Sequence, residues 1–135
     1  MCLMVDKLMT NHLNTVLLSL CRHCCSIMDG WVPYPSTCIA RSTKIDLKSV
    51  RKELRKLKQA GLIYSDLYVE TGEDLDRPIL VRGYLVTDQC KDTEEYRTAW
   101  AEEREIVNKC FNLDIGPVDN YSKIAAEFEK ELDTV

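Results

Sequence analysis

Residues 36–63 read STCIARSTKIDLKSVRKELRKLKQAGLI and contain the clearest helical pattern in the chain. Asp46 is a residue type that caps helix N-termini, and Gly61 is one that follows helix C-termini, so a helix is predicted over residues 47–60. At about 100° per residue, its apolar side chains share one narrow face: Leu47, Val50, Leu54 and Leu57. The opposite face carries Lys48, Ser49, Lys52, Arg55 and Lys56. The pattern predicts a helix that packs by one face and presents cations on the other.

The charge of this segment contrasts with that of the whole chain. Residues 41–58 hold eight basic and two acidic side chains, a net charge of +6, whereas the 135-residue chain has a net charge of -4. A generic surface helix mixes charge signs at i, i+4 spacing, but Glu53 is the only acid in residues 47–58. A dense basic segment in an acidic chain predicts contact with a polyanion. A solvated helix face is the alternative interpretation.

Helices and a hairpin surround this segment. Apolar residues at helical spacing predict a first helix over residues 7–28: Leu13, Leu17, Leu20, Cys24 and Met28. Pro33 and Pro35 prevent its continuation, and Ser36 is predicted to cap a short helix over residues 37–41. After Gly61 the period changes to two, so residues 62–70 and 79–86 are predicted to form an antiparallel hairpin.

Two further helices are predicted after the hairpin. Asp92 or Thr93 caps a helix that extends to about residue 111. Its apolar stripe comprises Tyr96, Ala99, Trp100, Val107, Cys110 and Phe111. Gly116 and Pro117 then interrupt the chain, and a last helix is predicted over residues 119–132. Trp31 and Tyr34 are expected to cover one end of the helical core.

Residues 36–63 resemble the helix-turn-helix core of the winged-helix regulator superfamily. The run from Leu54 to Ile63, with leucines three residues apart and a final Gly-Leu-Ile, is similar to the way the recognition helix enters the wing there. The resemblance covers residues 7–87 and implies an α+β winged helix, with a three-helix core and a two-stranded wing. It divides the chain into a winged-helix domain, residues 1–87, and an acidic two-helix extension, residues 88–135, for dimerisation or partner binding.

The resemblance implies a DNA-binding transcriptional regulator whose residues 46–58 occupy the major groove of double-stranded DNA. Lys44, Lys48, Ser49 and Lys52 would face base edges. Arg41, Arg55 and Lys56 would contact phosphates, which is the interaction that cationic side chains favour through counterion release. Two-fold regulators commonly bind as dimers, so a homodimer is expected through Tyr96, Trp100, Val107 and Phe111. Small regulators of phages and mobile elements look similar overall.

The predicted wing favours a second hypothesis, because it is acidic. Its acids are Glu70, Glu73, Asp74 and Asp76, against Arg77 in the same loop. Phosphates would repel such a wing. The alternative function is therefore a winged-helix protein-binding module, such as a mobile-element inhibitor of a host nuclease (anti-CRISPR-like), acting through its acidic wing and C-terminal surface.

Other classes of function find little support in the sequence. An odd number of cysteines without a recognisable signal peptide predicts reduced thiols in the cytoplasm: Cys2, Cys21, Cys24, Cys25, Cys38, Cys90 and Cys110. Cys21, His23, Cys24 and Cys25 invite a zinc interpretation, but they form one crowded group on one predicted helix instead of two separated ligand pairs. We therefore expect no metal or cofactor. Glycine-rich phosphate loops and zincin motifs do not occur, which argues against an enzyme. No apolar run reaches the length of about 18 residues that spans a bilayer.

Overall fold

The computed structural model describes the backbone of residues 2–114 and the side chains of residues 12–114. Within this part the chain is α+β, with α-helices around one antiparallel hairpin. The elements are α1 (Cys2–Cys25), α2 (Ser36–Thr43), α3 (Leu47–Gln59), β1 (Ile63–Glu70), β2 (Ile79–Val86), a short 3₁₀ helix (Asp88–Asp92) and α4 (Glu94–Phe111). The predicted break at Gly116 and Pro117 and the helix over residues 119–132 lie outside the described residues.

The predicted ends of α3 and the start of α4 are confirmed. The Asp46 carboxylate caps α3 by accepting from the Ser49 amide at 3.0 Å, and Gly61 follows the helix in a left-handed conformation with φ 78°. Thr93 caps α4 by accepting from the Tyr96 amide at 3.2 Å. Local capping chemistry therefore places these boundaries.

The prediction that Ser36 caps α2 is wrong. Pro35 is the N-cap residue and contributes no side-chain hydrogen bond. Its carbonyl accepts from the amides of Cys38 and Ile39, while its ring fixes a φ of -67° that suits the position. At the other end, the Thr43 hydroxyl donates to the Ile39 carbonyl at 2.7 Å. The helix therefore extends to Thr43, beyond its predicted end at residue 41.

The hairpin has the predicted strands, and it gains a partner that the sequence analysis missed. Its register runs from Ile63 opposite Val86 to Glu70 opposite Ile79. On the outer side of β2, Tyr84 pairs with Tyr34 through two backbone hydrogen bonds of 3.0 and 2.9 Å. A side chain at Gly83 would overlap the Pro33 backbone. Glycine at this position thus lets the α1–α2 connection dock on the hairpin.

One hydrophobic core joins α1, α2, α3, the base of the hairpin and α4. Its most enclosed large side chains include Leu20, Ile39, Leu54 and Tyr96. At the surface, the Arg22 guanidinium donates to both carboxylate oxygens of Glu102, at 2.9 and 3.1 Å, and links α1 to α4. The first part of the predicted C-terminal extension therefore shares the core of the preceding residues.

This packing makes the predicted dimer stripe on α4 wrong. Tyr96, Trp100 and Val107 are 1%, 3% and 6% exposed in the single chain, so they are not available to a second copy. Phe111 alone among the predicted interface residues is exposed. The stripe packs within its own chain, because α4 lies against α1.

The end of α1 also differs from its prediction. The helix ends at Cys25 rather than at residue 28, and Met28 is exposed. Trp31 is exposed as well, so the expectation that it covers the core is wrong. Tyr34 is half-buried, and its ring stacks on that of His23 with centroids 4.1 Å apart. Tyr34 therefore contributes to the junction between α1 and the hairpin.

The central cysteines are part of the core. Cys21, Cys24, Cys25 and Cys90 are buried, and the sulfurs of Cys21 and Cys90 lie 3.7 Å apart. Burial raises the pKa of Cys24 to about 11 and that of Cys25 to about 12. Within the described residues, no group of three or more histidine, cysteine or acidic side chains could hold a metal ion. These thiols pack as small apolar side chains.

Candidate nucleic-acid interface

The outward face of α3 is uniformly cationic. Lys48, Lys52 and Arg55 are all exposed, and their i, i+4, i+7 spacing places them on one side of the helix. The other side is anchored in the core by Val50, Leu54 and Leu57, which are at most 2% exposed. Because the apolar face is held against the body of the protein, the three cations have a defined orientation toward solvent.

Two more cations precede α3, one in the last turn of α2 and one in the turn that connects the two helices. Arg41 is exposed in the last turn of α2. Lys44 follows that helix in a left-handed conformation with φ 61°, and its amide donates to the Ala40 carbonyl at 2.9 Å. This tight turn joins the two helices over only three residues. We call the five residues Arg41, Lys44, Lys48, Lys52 and Arg55 the basic surface.

The charges of the basic surface are not neutralised by other described residues. The ion pairs within residues 12–114 join Arg22 to Glu102, Lys56 to Glu53, Lys91 to Asp88 and Lys109 to Glu105. None of them includes a member of the basic surface. An external polyanion would therefore not have to displace an internal carboxylate from these five side chains.

Lys56 differs from the other predicted phosphate ligands. It is half-buried, and its ammonium lies 3.7 Å from the Glu53 carboxylate. Glu53 is 6% exposed, and its Oε2 has no hydrogen-bond partner among the described residues. A buried carboxylate needs a nearby cation, so Lys56 serves the interior of the protein. The sequence analysis noted Glu53 only as the single acid of residues 47–58 and did not predict this burial.

Ser49 also has a structural role in place of its predicted contact with a base. Its hydroxyl donates to Asp46 Oδ1 at 2.7 Å, and its amide donates to Asp46 Oδ2 at 3.0 Å. These hydrogen bonds lower the pKa of Asp46, so its carboxylate stays charged. The amide at the start of α3 is thereby occupied by a carboxylate of the same chain. Phosphate contact would therefore depend on the lysine and arginine side chains and not on the Ser49 amide.

The hairpin carries the opposite charge to the basic surface. The predicted protein-partner residues Glu70, Glu73, Asp74 and Asp76 are all exposed, at the end of β1 and in the connecting loop. We call these four residues the acidic loop. Arg77 in the same loop and Arg82 on β2 are exposed too. The structure therefore places the two charge clusters on different elements, joined by the turn at Gly61.

An exposed apolar patch on the hairpin was missed by the sequence analysis. Leu67, Val69 and Leu80 are 49%, 59% and 65% exposed, which is far above the core leucines of α3. We call these three residues the hairpin patch. Alternating apolar residues indicate a strand, but they do not show which part of the strand the body of the protein covers. The sequence did contain a signal for this patch. The parts of both strands next to the connecting loop have apolar residues on both faces, and the body of the protein cannot cover both.

Two general findings complete the description of the site. Within the described part of the chain, no helix combines the length and the apolar composition that crossing a bilayer requires. Comparison with known proteins finds no match, whether with a protein-family profile, a curated protein or a solved structure.

Proposed function

We propose that this protein binds double-stranded DNA as a transcriptional regulator, with α3 lying in the major groove. The observation that carries the proposal is the set of exposed cations on the outward face of α3 that form no ion pair with another side chain of residues 12–114. Lys48, Lys52 and Arg55 would approach the DNA together, because the opposite face of their helix is fixed in the core. A helix with its side chains is about 10–12 Å wide and fits the major groove, which is about 12 Å wide.

The order of elements supports a winged-helix arrangement. Three helices precede an antiparallel hairpin, and α2 and α3 are connected by a tight turn. The pairing of Tyr34 with Tyr84 adds an isolated β-bridge at the outer edge of β2. In this arrangement α3 is the recognition helix, and the hairpin is the wing. The acidic loop would be held away from the phosphates by electrostatic repulsion.

Some of the five side chains of the basic surface would contact bases in the major groove, and the others would contact the sugar-phosphate backbone of the DNA. Lys48 and Lys52 lie in the first two turns of α3, which is the part of a recognition helix that contacts base edges. Arg41 and Arg55 would contact phosphates, and Lys44, in the turn before α3, would face a base edge. With Arg41 and Arg55 each neutralising a phosphate, counterion release predicts that affinity falls by about tenfold between about 50 and 200 mM salt.

Fluorescence anisotropy tests this proposal with a labelled mixed-sequence duplex at about 50 and 200 mM salt. We expect the wild-type protein to bind and the triple variant Lys48→Glu, Lys52→Glu, Arg55→Glu to lose about 100-fold or more in affinity at the lower salt. The matched control is Arg77→Glu, Arg97→Glu, Lys109→Glu, which changes the net charge equally at exposed sites outside the basic surface. The control should lose only a few-fold.

Two results would contradict the proposal. The first is the absence of binding by the wild-type protein at the lower salt. The second is an equal loss in the two triple variants, since that would show dependence on net charge instead of on α3. Circular dichroism and thermal melting of each variant exclude unfolding as the cause of a loss.

A second candidate function, binding to a protein partner such as a nuclease, is favoured by the acidic loop. Its four carboxylates are exposed, and DNA phosphates would repel them. Under this alternative, Glu73→Lys, Asp74→Lys, Asp76→Lys would abolish capture of the partner, while the α3 triple variant would retain it. Pull-downs with both variants distinguish the two functions. Capture that depends on α3 and not on the loop would exclude this candidate.

A further inference from the structure

The hairpin patch lies on one continuous face of the sheet. Val69 is directly opposite Leu80, and Leu67 is opposite Arg82. Directly opposed residues share a face, as do residues two positions apart along a strand. The three apolar side chains are thus neighbours. They lie on the distal part of the hairpin, whereas Ile63, at the base of the same face, is buried in the core.

The free edge of β1 is less suited to pairing than this face. Tyr84 directs its amide and carbonyl toward Tyr34 and therefore away from its β1 partner Ser65. By alternation along an antiparallel ladder, the Leu67 amide also points outward from β2. The Asp66 carboxylate accepts from that amide at 2.8 Å. A charged side chain thus occupies the centre of the edge, which is a common protection against strand addition.

Charge along the patch face changes sign from base to tip. At the base, the Lys58 ammonium donates to the Ser65 hydroxyl at 3.2 Å, and Ser65 is on the same face as Leu67. Arg82 lies on that face opposite Leu67. Val69 and Leu80 follow toward the tip, and the loop acids Glu73, Asp74 and Asp76 lie beyond them. The face is therefore basic at its base, apolar in the middle and acidic at its tip. When two copies pack face to face in antiparallel orientation, the basic end of each meets the acidic end of the other. The acidic end disfavours DNA and anionic lipid as the occupant of this face.

We propose that two copies of this protein associate through the hairpin patch in an antiparallel, two-fold arrangement. Leu67, Val69 and Leu80 of each copy cover those of the other. Each acidic loop then lies near Lys58 and Arg82 of the other copy. The interface replaces the one that was predicted on α4, where the apolar stripe is buried. It goes beyond the proposed DNA binding and does not depend on it.

Sedimentation velocity of the full chain between about 2 and 200 μM tests the association. Because the patch has three partly exposed side chains per copy, we expect a dissociation constant that is roughly micromolar rather than nanomolar. The wild-type mass should rise with concentration from the 15.6 kDa monomer toward twice that value. Leu80→Lys should raise the dissociation constant at least tenfold. The matched control is Ile106→Lys, at an apolar residue of α4 that is 54% exposed, and it should leave the constant unchanged.

A charge exchange tests the antiparallel geometry. Arg82→Glu alone and Asp74→Arg, Asp76→Arg alone should each weaken self-association several-fold, because each brings like charges together twice per dimer. An equimolar mixture of the two variants should recover the wild-type mass distribution, since both junctions then join opposite charges. A parallel arrangement already opposes like charges in the wild type, so in that geometry neither variant alone would weaken self-association and the mixture would associate more tightly than the wild type.

Three outcomes would overturn the proposal. A wild-type protein that stays monomeric over the whole concentration range excludes the dimer. A dimer that Leu80→Lys does not weaken uses another face. Failure of the mixed variants to recover excludes the antiparallel arrangement. Leu80 is 65% exposed, so its replacement leaves the core intact, and circular dichroism verifies the fold of each variant.

Discussion

Helix α3 and the hairpin follow one another in the chain and differ in how the body of the protein covers them. The helix packs along its length, so Val50, Leu54 and Leu57 are at most 2% exposed. The hairpin packs only at its base, and Val69 and Leu80 are 59% and 65% exposed. Thirteen helical residues span about 20 Å, whereas eight strand residues span about 27 Å. Apolar periodicity therefore predicts buried side chains only along the part of an element that packs against other elements.

The two elements also differ in charge, and this separates their possible partners. The outward face of α3 is cationic, whereas the tip of the hairpin is anionic. A polyanion can approach the first and is repelled by the second. This difference is the basis for proposing nucleic-acid contact for the helix and protein contact for the hairpin.

Leucine-to-alanine substitutions should have their largest effect in α3. Leu54→Ala removes a side chain that is 1% exposed and leaves a cavity, so we expect the free energy of unfolding to fall by about 3 kcal/mol. Leu80→Ala in the hairpin should change it by less than about 0.5 kcal/mol. Urea denaturation at about 0.05 μM measures both below the expected dimerisation range. Similar losses at the two positions would show that the hairpin tip is covered in solution.

Glycine-to-alanine substitutions compare the base of the hairpin with its loop. A methyl group at Gly83 would overlap the Pro33 backbone, whereas one at Gly72 would meet open space. We expect Gly83→Ala to destabilise the fold by about 2–3 kcal/mol and Gly72→Ala to change stability by less than about 0.5 kcal/mol. Denaturant midpoints give both values. A neutral Gly83→Ala would contradict the close docking of the α1–α2 connection.

Cys24 tests how well the core beneath the hairpin base excludes water. Burial raises its pKa from 9.0 to about 11, although a hydrogen bond with the Val86 backbone partly opposes this change. Because the folded-state pKa is the higher one, the stabilisation is complete below about pH 9 and is lost as pH rises through about 11. Between about pH 8 and 11, wild type should lose about 2 kcal/mol more than Cys24→Ala. Parallel pH profiles of the two proteins in urea denaturation would contradict this.

The smallest expected effect concerns the acidic loop during DNA binding. Glu73→Gln, Asp74→Asn, Asp76→Asn removes three negative charges that lie outside the proposed contact. We expect DNA affinity to rise by only about two- to threefold at about 50 mM salt, and less at about 200 mM, because salt screens distant charges. Anisotropy titration measures the change. A loss of affinity would show that the loop contacts DNA through its carboxylates and would contradict the proposed division between α3 and the hairpin.

Much of the local structure was predictable from residues close together in the chain. The caps at Asp46 and Thr93 were found from residue type and spacing, and β2 was predicted with its observed bounds. The misassigned cap at Ser36 shows the limit of this reasoning, because the helix begins one residue earlier after Pro35. Residue type indicated a side-chain cap at Ser36. The helix instead begins without a side-chain cap, and the Pro35 carbonyl accepts its first backbone hydrogen bonds.

The candidate site was predictable in its charge and less so in its individual residues. Lys48, Lys52 and Arg55 are exposed, as helical periodicity indicated. Ser49 and Lys56 lie on the same helix but hydrogen-bond or pair within it, to Asp46 and Glu53. Spacing gives the angular position of a side chain. It does not show which neighbours have already used its hydrogen-bonding or charge-pairing capacity.

Residue type and spacing alone predicted the bounds of α3, the hairpin strands and α4 closely, and they predicted the cationic character of one face of α3. These properties depend on capping, turn residues and periodicity, which act over one or two turns of chain. Three features follow instead from contacts between distant segments. The apolar stripe of α4 is buried within the chain, Tyr34 pairs with Tyr84, and the hairpin patch is exposed. Burial depends on which segments, distant in the sequence, pack together. The spacing of apolar residues is the same whether they contact their own chain, a second copy or water.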